Sequence, residues 1–597
     1  MIEYAETSPL ALTRLDGKGF DGSSPRSDTQ GNILLINAGR VEPGAVVSCD
    51  VCVIGAGAAG ITCALELSRT GGSIVLLEGG GLREEPAAQD TYRGETIGPG
   101  ALDLHPALDT VRQKRFGGTT GAWGGRCVPL DPIDFEPRDS PPSCGWPIGR
   151  RDLDEYYARA NLYCEAGEYE YASDSALPGS APFVLEQGQP ARFTDRKLLR
   201  YSRPTDFGKA YRTRLRRSPH IRAFYHANVL RLELDSLKER ITTAVVASSP
   251  GREFRVQARF FVLAAGGLET TRLLLMTRRE ARTSMGGVAL GHYYMTHLDG
   301  YVGRLRFLGP APRAAYSYER SHDGIYCRRL LCPTEDTLRR EALLNFSAVL
   351  YMPSPEDPSH GDGLLSAFVL AKQGLHRAKI GFKAKRPDPE FASLPTGAHA
   401  RNVMREPLRL VRFGPWWLRE RVLASRKVPS FLTQPKNGVY RFLFSAEQSA
   451  SYANSVELGA SCDRFGIPRL RVNWKVSRSD YESIVRSLAL IGSELERLRL
   501  ANVEIPGTPE ELAASIGGGF LGGTHAMGTA RMSRSSEQGV VDPECRVHGV
   551  RNLYVASSAV FPTGGFGAPT LTIVALSIRV CKVIASALLS GPMSQQL

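Results

Sequence analysis

Apolar positions along this chain follow two rhythms. At 51–54 Val51, Cys52, Val53 and Ile54 run without interruption, the pattern of a strand buried on both faces. Six glycines and alanines follow, and then Ile61, Ala64, Leu65 and Leu67 recur at helical spacing until Gly71 and Gly72 stop the helix. A second apolar run at 74–77 ends on Glu78, so 50–78 predicts one strand–helix–strand unit. The apolar run at 260–265 meets Gly266 and Gly267 and turns helical from Leu268, a second junction of the same kind. Short strands are predicted at 221–234, 241–246 and 254–262, and a helix at 156–164. Alternating segments at 301–307, 343–351, 438–444 and 469–474 predict a second, antiparallel sheet, with a long helix at 480–500 after it. An apolar patch at 33–36 adds a strand ahead of the first unit, and 571–589, which carries Arg579 and Lys582, reads as an amphipathic or buried helix.

Composition narrows this picture only slightly. At 597 residues, 42% hydrophobic and 23% charged, the chain holds two or more domains, and disorder of the whole is excluded. Its first residues show neither a basic segment followed by an apolar core nor a twin arginine, so a cytoplasmic location is the expectation. Eleven scattered cysteines, with the pair Cys49 and Cys52 on a predicted strand whose alternate side chains face opposite ways, read as reduced core thiols, and no metal site is expected. A net charge of +13 permits nucleic acid, anionic lipid or an acidic substrate without choosing among them, and no nucleic-acid motif is present. Most of the excess lies in a basic insert at 372–427. Within it, 406–423 mixes aromatic and aliphatic residues with arginines, interrupted by Gly414 and Pro415. Two readings stand: reversible docking on an anionic membrane or acidic partner, or a lid with its arginines in water.

The glycine turn carries the clearest chemistry. Gly55 makes the tight turn, Gly57 admits a pyrophosphate, the helix opening at Ala58 points its N-terminus at the anion, and Gly60 allows close packing of helix on strand. Glu78, closing the second strand, suits a ribose diol. A glycine-rich loop at 115–126 can lay backbone amides against a flat ligand or its phosphates. Glycine-rich stretches return at 522–532, 539–549 and 561–572, so sequence-distant ends build one domain.

Taken together, the cradle at 50–80, the segments 116–135, 260–275 and 291–297, and the run from 525 to 576 resemble the glucose-methanol-choline (GMC) oxidoreductases, closest to their bacterial, pyranose-oxidase-like branch acting on sugars and sugar-like alcohols. The resemblance implies an α/β fold, α+β overall: a Rossmann-like FAD-binding domain made of discontinuous segments (49–155, 216–298, 515–597) and a substrate domain (156–215, 299–514) whose antiparallel sheet is flanked by helices, after an N-terminal extension at 1–48. It implies extended FAD, with Gly55, Gly57, Ala58 and Gly60 at the pyrophosphate, Glu78 at the ribose and Val229 meeting adenine through its backbone. Gly118, Thr119 and Trp123 match the loop over the flavin; Ala265, Ser557, Ser558, Ala568, Pro569, Thr570 and Leu571 complete the cofactor site. Relatives with covalent flavin carry histidine where this chain has Ala122, so noncovalent FAD is expected.

His525 matches the family's base, a role that suits imidazole with its ordinary pKa of about 6.5. His297 and His548 lie in family-like segments as architectural residues. The departure is Ala568, where the family usually places Asn or His to share the substrate hydroxyl. Either another residue supplies that contact, with Glu447 and Gln448 the candidates, or the base works alone, or the reaction is not alcohol oxidation. The expected activity is oxidation of a sugar, glycoside or amino-sugar-like hydroxyl to a carbonyl by hydride transfer to flavin N5, with oxygen, a quinone or another carrier as acceptor. The alternatives are a flavin-dependent lyase-type reaction and a catalytically silent FAD-binding protein.

Overall fold

A computed structural model describes residues 35–98, 104–139, 142–177, 179, 192–203, 205–377, 395–516 and 522–590. The strand Val46–Ile54 is the spine of its largest sheet. It runs parallel to Ile74–Glu78 on one side and Arg252–Leu263 on the other, with Val51 facing both Ile74 and Phe260. Val51, Cys52 and Val53 lose all accessible surface, as an unbroken apolar run between two covered faces requires. Arg252–Leu263 is long enough to change partner along its length. Its first half pairs antiparallel with Ile241–Ser249, and Phe261, Val262 and Leu263 pair parallel with Leu553–Val555. The far end of the chain is thereby stitched into the sheet that begins at Val46.

Helix Ala58–Leu67 is buried from Ala59 to Leu67 and is covered by the final helix, Thr570–Leu589. That last helix is long and apolar enough to span a bilayer by composition, yet it packs between Ala58–Leu67 and Arg151–Tyr163. Its charges sit at the edge: Lys582 pairs with Glu155 at 2.9 Å. The sheet of the second core is antiparallel, in the order Phe346–Tyr351, Val439–Ala446, Leu298–Phe307, Ala501–Glu504. Tyr440, Phe442 and Phe444 alternate toward the helix Arg478–Arg497, and Leu443 turns to the opposite face beside Val349 and Phe566. Ser477 and Asp480 start that helix with reciprocal side-chain-to-backbone bonds.

Three expectations change. The segment 469–474 is not a strand of this sheet: Pro468–Asn473 pairs antiparallel with Ser455–Cys462 and parallel with Glu95–Ile97. Alternation predicts a strand but not its partner, and here Arg469 binds Asp90 at 2.7 Å across 379 residues. The stretch 221–234 is two strands, broken at His226 with φ 57°, one on each side of the sheet. Cys144 and Cys462 are exposed thiols, not core ones. Of the patch at 33–36, Ile33 and Leu34 lie outside the described residues, as do 1–32 and 378–394 of the basic insert; Leu35–Asn37 adds an edge strand parallel to Ile221–Tyr225.

Candidate active site

The cradle is a backbone structure. Gly55 has φ +102°, and a Cβ there would stand 2.6 Å from the Ala264 carbonyl and 2.8 Å from Ala265 Cα, so the turn presses on the second strand–helix junction. A Cβ on Gly60 would stand 1.7 Å from the Gly55 carbonyl oxygen, which makes glycine obligatory there. Gly57 is different: a Cβ would meet nothing within 4 Å. It leaves space in front of a helix whose first amides, from Ala58 on, have no side-chain cap. The loop at 117–121 closes one flank, with Gly117 N–H donating to the Ala56 carbonyl at 2.8 Å and Gly118 packed beside Gly57. Glu78 accepts from Ala56 N–H at 3.0 Å and from Gly80 N–H at 2.8 Å, one bond per oxygen, which leaves each oxygen a lone pair for a ribose hydroxyl. Burial raises its pKa against the pull of those two amides. Ala227 N–H donates to the Glu78 carbonyl, bringing Val229 to the same end of the sheet.

The other predicted residues gather on two further segments. Trp123 donates to the Thr205 carbonyl at 3.0 Å, and Thr119, exposed, accepts from Gln113 N–H at 3.2 Å. Ser557 caps a short turn, Ser558 Oγ donates to the Ala526 carbonyl at 2.7 Å, and Pro569 precedes Thr570 and the buried Leu571 at the head of the final helix. Segments 291–297 and 522–532 lie side by side: Met295 and Met527 exchange both backbone bonds, at 3.1 and 3.0 Å.

This places His525 Nδ1 2.9 Å from His297 Nδ1, while His297 Nε2 stands 3.1 Å from the Gly564 carbonyl. The protons follow from the partners. A carbonyl only accepts, so His297 Nε2 carries hydrogen. Burial depresses both pKa values, and for His525 the neighbouring His297 and then Arg126 depress it further, so both rings are neutral near pH 7. A neutral imidazole has one N–H; His297 Nδ1 is therefore bare and receives the His525 Nδ1 hydrogen. His525 Nε2 is left as an unprotonated base. His297, read from the sequence as architectural, fixes the tautomer of the ring beside it, and the signal available was only its place at the end of the segment 291–297. Arg126, last residue of the glycine loop, was not singled out; its charge reaches His525. His548 binds the Ser533 carbonyl at 3.1 Å and takes no part in this pair.

The glycine loop before Ala568 is held from several sides. His297 holds Gly564, Ser445 Oγ donates to the Phe566 carbonyl at 2.9 Å, and a Cβ on Gly565 would stand 2.5 Å from Asp134 Oδ2. Beneath it lies a buried polar cluster. Arg138 makes a forked pair with Glu447 at 2.9 and 2.5 Å, Lys197 pairs with Asp131 at 2.6 Å, and Asn345 donates to Asp131 and Asp134 at 3.0 and 2.8 Å. Two cations serve three carboxyl groups, and Asp134, without one of its own, has its pKa pushed up to about 8 by burial and then by Asp131 and Glu447. Glu447 also accepts from Asn345 N–H at 3.1 Å. Gln448 Oε1 accepts from Thr296 N–H and Trp474 Nε1–H, at 3.1 and 3.0 Å, and its amide nitrogen donates to the Lys475 carbonyl. Both residues expected to meet substrate are thus committed to protein partners, because each is about 2% exposed and a polar group so buried must be bonded.

Residues 450–577 match the family model described as GMC oxidoreductase, and residues 50–87 match an FAD binding domain. The two matches support a GMC-type, FAD-binding oxidoreductase. Over 588 residues, 91% of this chain and 92% of the relative, the protein is 25% identical to paromamine 6'-oxidase of Streptomyces fradiae. A match to C-glycoside 3-oxidase of Arthrobacter globiformis reaches 30% identity over 146 residues, 24% of this chain and 25% of that enzyme. Formate oxidase has the same fold, with a TM-score of 0.52 at 16% identity over 92% of this chain and 99% of that one. This protein is an FAD-dependent enzyme acting on CH–OH donors, moving electrons from a small molecule to an acceptor. The residues present fit FAD: the open space at Gly57, the uncapped helix amides and the spare lone pairs of Glu78 are what a dinucleotide diphosphate and its ribose need.

Proposed function

We propose that this protein oxidises a hydroxyl of a sugar, glycoside or amino-sugar-like alcohol to the carbonyl, with His525 as the base. The observation that carries the reading is the pair of bonds that leaves His525 Nε2 unprotonated in a buried site. Bound FAD supplies the hydride acceptor. His525 takes the hydroxyl proton on Nε2 as the substrate carbon gives up hydride, and the ring becomes an imidazolium whose Nδ1–H still points at His297. The depressed pKa keeps the base free of protons at neutral pH, and the positive charge of Arg126, which is felt at His525, favours the alkoxide that forms as the proton leaves. The side chain of Ala568 offers no hydrogen bond, so the imidazole of His525 works as the base without the second polar side chain usual in the family. Ala122 offers no atom for a covalent link, which supports noncovalent FAD. Oxygen, a quinone or another carrier completes the cycle.

The sugar-like substrate is supported by the activities of the relatives, paromamine 6'-oxidase and C-glycoside 3-oxidase. Anaerobic mixing with aminoglycosides, C-glycosides, simple sugars and small alcohols is expected to bleach the flavin with at least one of the first three classes, and His525→Ala is expected to slow that bleaching by at least about 100-fold. Undiminished bleaching in the variant, or bleaching by small alcohols alone, would sink the assignment.

A further inference from the structure

The basic insert presents a feature that alcohol oxidation does not use. Helix Pro407–Trp417 continues into a wider turn, Leu418–Leu423, and one face of this rod is anchored. Phe413 packs against Phe431 at 4.8 Å between ring centres, Arg409 pairs with Asp362 and Glu406 at 2.9 and 3.2 Å, and Glu420 pairs with Arg320 at 2.9 Å. The other face points to water and is apolar. Leu408, Val411, Pro415, Leu418 and Val422 recur every three or four residues, and Leu408 and Val411 are 72% and 71% exposed. Of the fifteen exposed large apolar side chains among the described residues, seven fall between Met404 and Leu423, so chance scatter does not account for the stripe.

Charge decides what it fits. Both acidic residues of the rod, Glu406 and Glu420, are spent on the anchored face, whereas Arg405, just before it, and Arg412 are exposed and form no ion pair among the described residues. Two copies meeting stripe to stripe would set arginine rims against each other. A sheet of anionic headgroups over acyl chains satisfies both parts at once, with Trp416 at the boundary between them. We propose that residues 404–423 dock this protein, reversibly and peripherally, on an anionic lipid bilayer. The rod leads back to the site: Arg426 donates to the Tyr201 carbonyl at 3.1 Å, Tyr201 is paired with Arg126, and Val428 packs in the cluster that holds Phe566. The anchored end of the rod is thus joined through these contacts to the glycine loops that carry Arg126 and Phe566.

Flotation of the FAD-loaded enzyme with phosphatidylglycerol–phosphatidylcholine vesicles is the test, with phosphatidylcholine vesicles and high salt as controls. Binding to the anionic vesicles at low salt is expected, weakened at least about 10-fold by high salt, by Arg405→Glu with Arg412→Glu, or by Leu408→Ser with Val411→Ser. All four positions are exposed, so both variants should keep their flavin content and thermal unfolding, and the two pairs test charge and apolar contact separately. No flotation at low salt, flotation that neither pair weakens, or a dimer in solution that the serine pair dissociates would each overturn the proposal.

Discussion

The cradle around Gly55 and the pocket around His525 are both narrow and mostly buried, and they are built on opposite principles. The cradle is local and made of backbone: its working parts lie within 24 residues, and side chains matter there chiefly by being absent, at Gly55, Gly57 and Gly60. The pocket joins residues 126, 297, 525 and 564, and what matters is which nitrogen holds a proton. A cradle of this kind is damaged by adding atoms. A pocket of that kind is damaged by removing a partner.

The largest effect expected belongs to the pocket: the loss of at least about 100-fold in flavin reduction for His525→Ala, with FAD still bound because the cradle is untouched. The cradle answers next. Gly57→Ala, adding a methyl where nothing lies within 4 Å, should leave the apoprotein as stable as before and weaken FAD about 10- to 100-fold in a titration, the cost of about 1–3 kcal/mol of overpacking against the diphosphate. Gly60→Ala, whose methyl would stand 1.7 Å from a carbonyl oxygen, should lower thermal stability with or without FAD. Equal behaviour of the two variants would erase the distinction between ligand space and packing space.

His297→Leu sharpens the other side. It removes the acceptor of the His525 Nδ1 hydrogen, so the tautomer is no longer held and the imidazolium loses a partner: reduction should slow roughly 10-fold and its acid limb should move to lower pH. In the native enzyme that limb should lie below about pH 6.5, because a base with a depressed pKa keeps its free form until the solution is more acidic than the ordinary imidazole value. A slower variant with an unmoved limb would reduce His297 to a packing residue. An effect on stability alone, with none on the chemistry, is expected at Asp134. Its folded pKa is raised to about 8, so the stability it contributes is present below the unfolded carboxyl value and drains away as pH rises through 8. Asp134→Asn, neutral at every pH, should gain on the native protein by up to about 1.4 kcal/mol per pH unit across that window, read by denaturant unfolding. A constant difference between the two would show that Asp134 is ionised throughout.

The same contrast explains what was legible in the sequence. Continuous apolar runs ending in glycine turns mark their own strands, so Val51 to Ile54, the helix from Ala58 and the acid at Glu78 could be read in order. The pairing of Pro468–Asn473 with Glu95–Ile97 could not, because alternation is silent on partners. His525 was legible through its motif, whereas the tautomer set by His297 and Gly564 depends on two distances between segments far apart in the chain. Glu447 and Gln448 stood as candidates for substrate contact because they follow a strand that resembles the sheet over the family's substrate cavity, and the forked Arg138 and the Trp474 indole that occupy them lie 309 and 26 residues away.

The pairing of Leu553–Val555 with the end of Arg252–Leu263, and the packing of Thr570–Leu589 on Ala58–Leu67, have a consequence in time. A ribosome delivers the cradle helix some five hundred residues before the helix that covers it, at about 5–20 residues per second, so its apolar back stays bare for roughly half a minute or more. Loading of the cofactor is in this sense the closing act of synthesis.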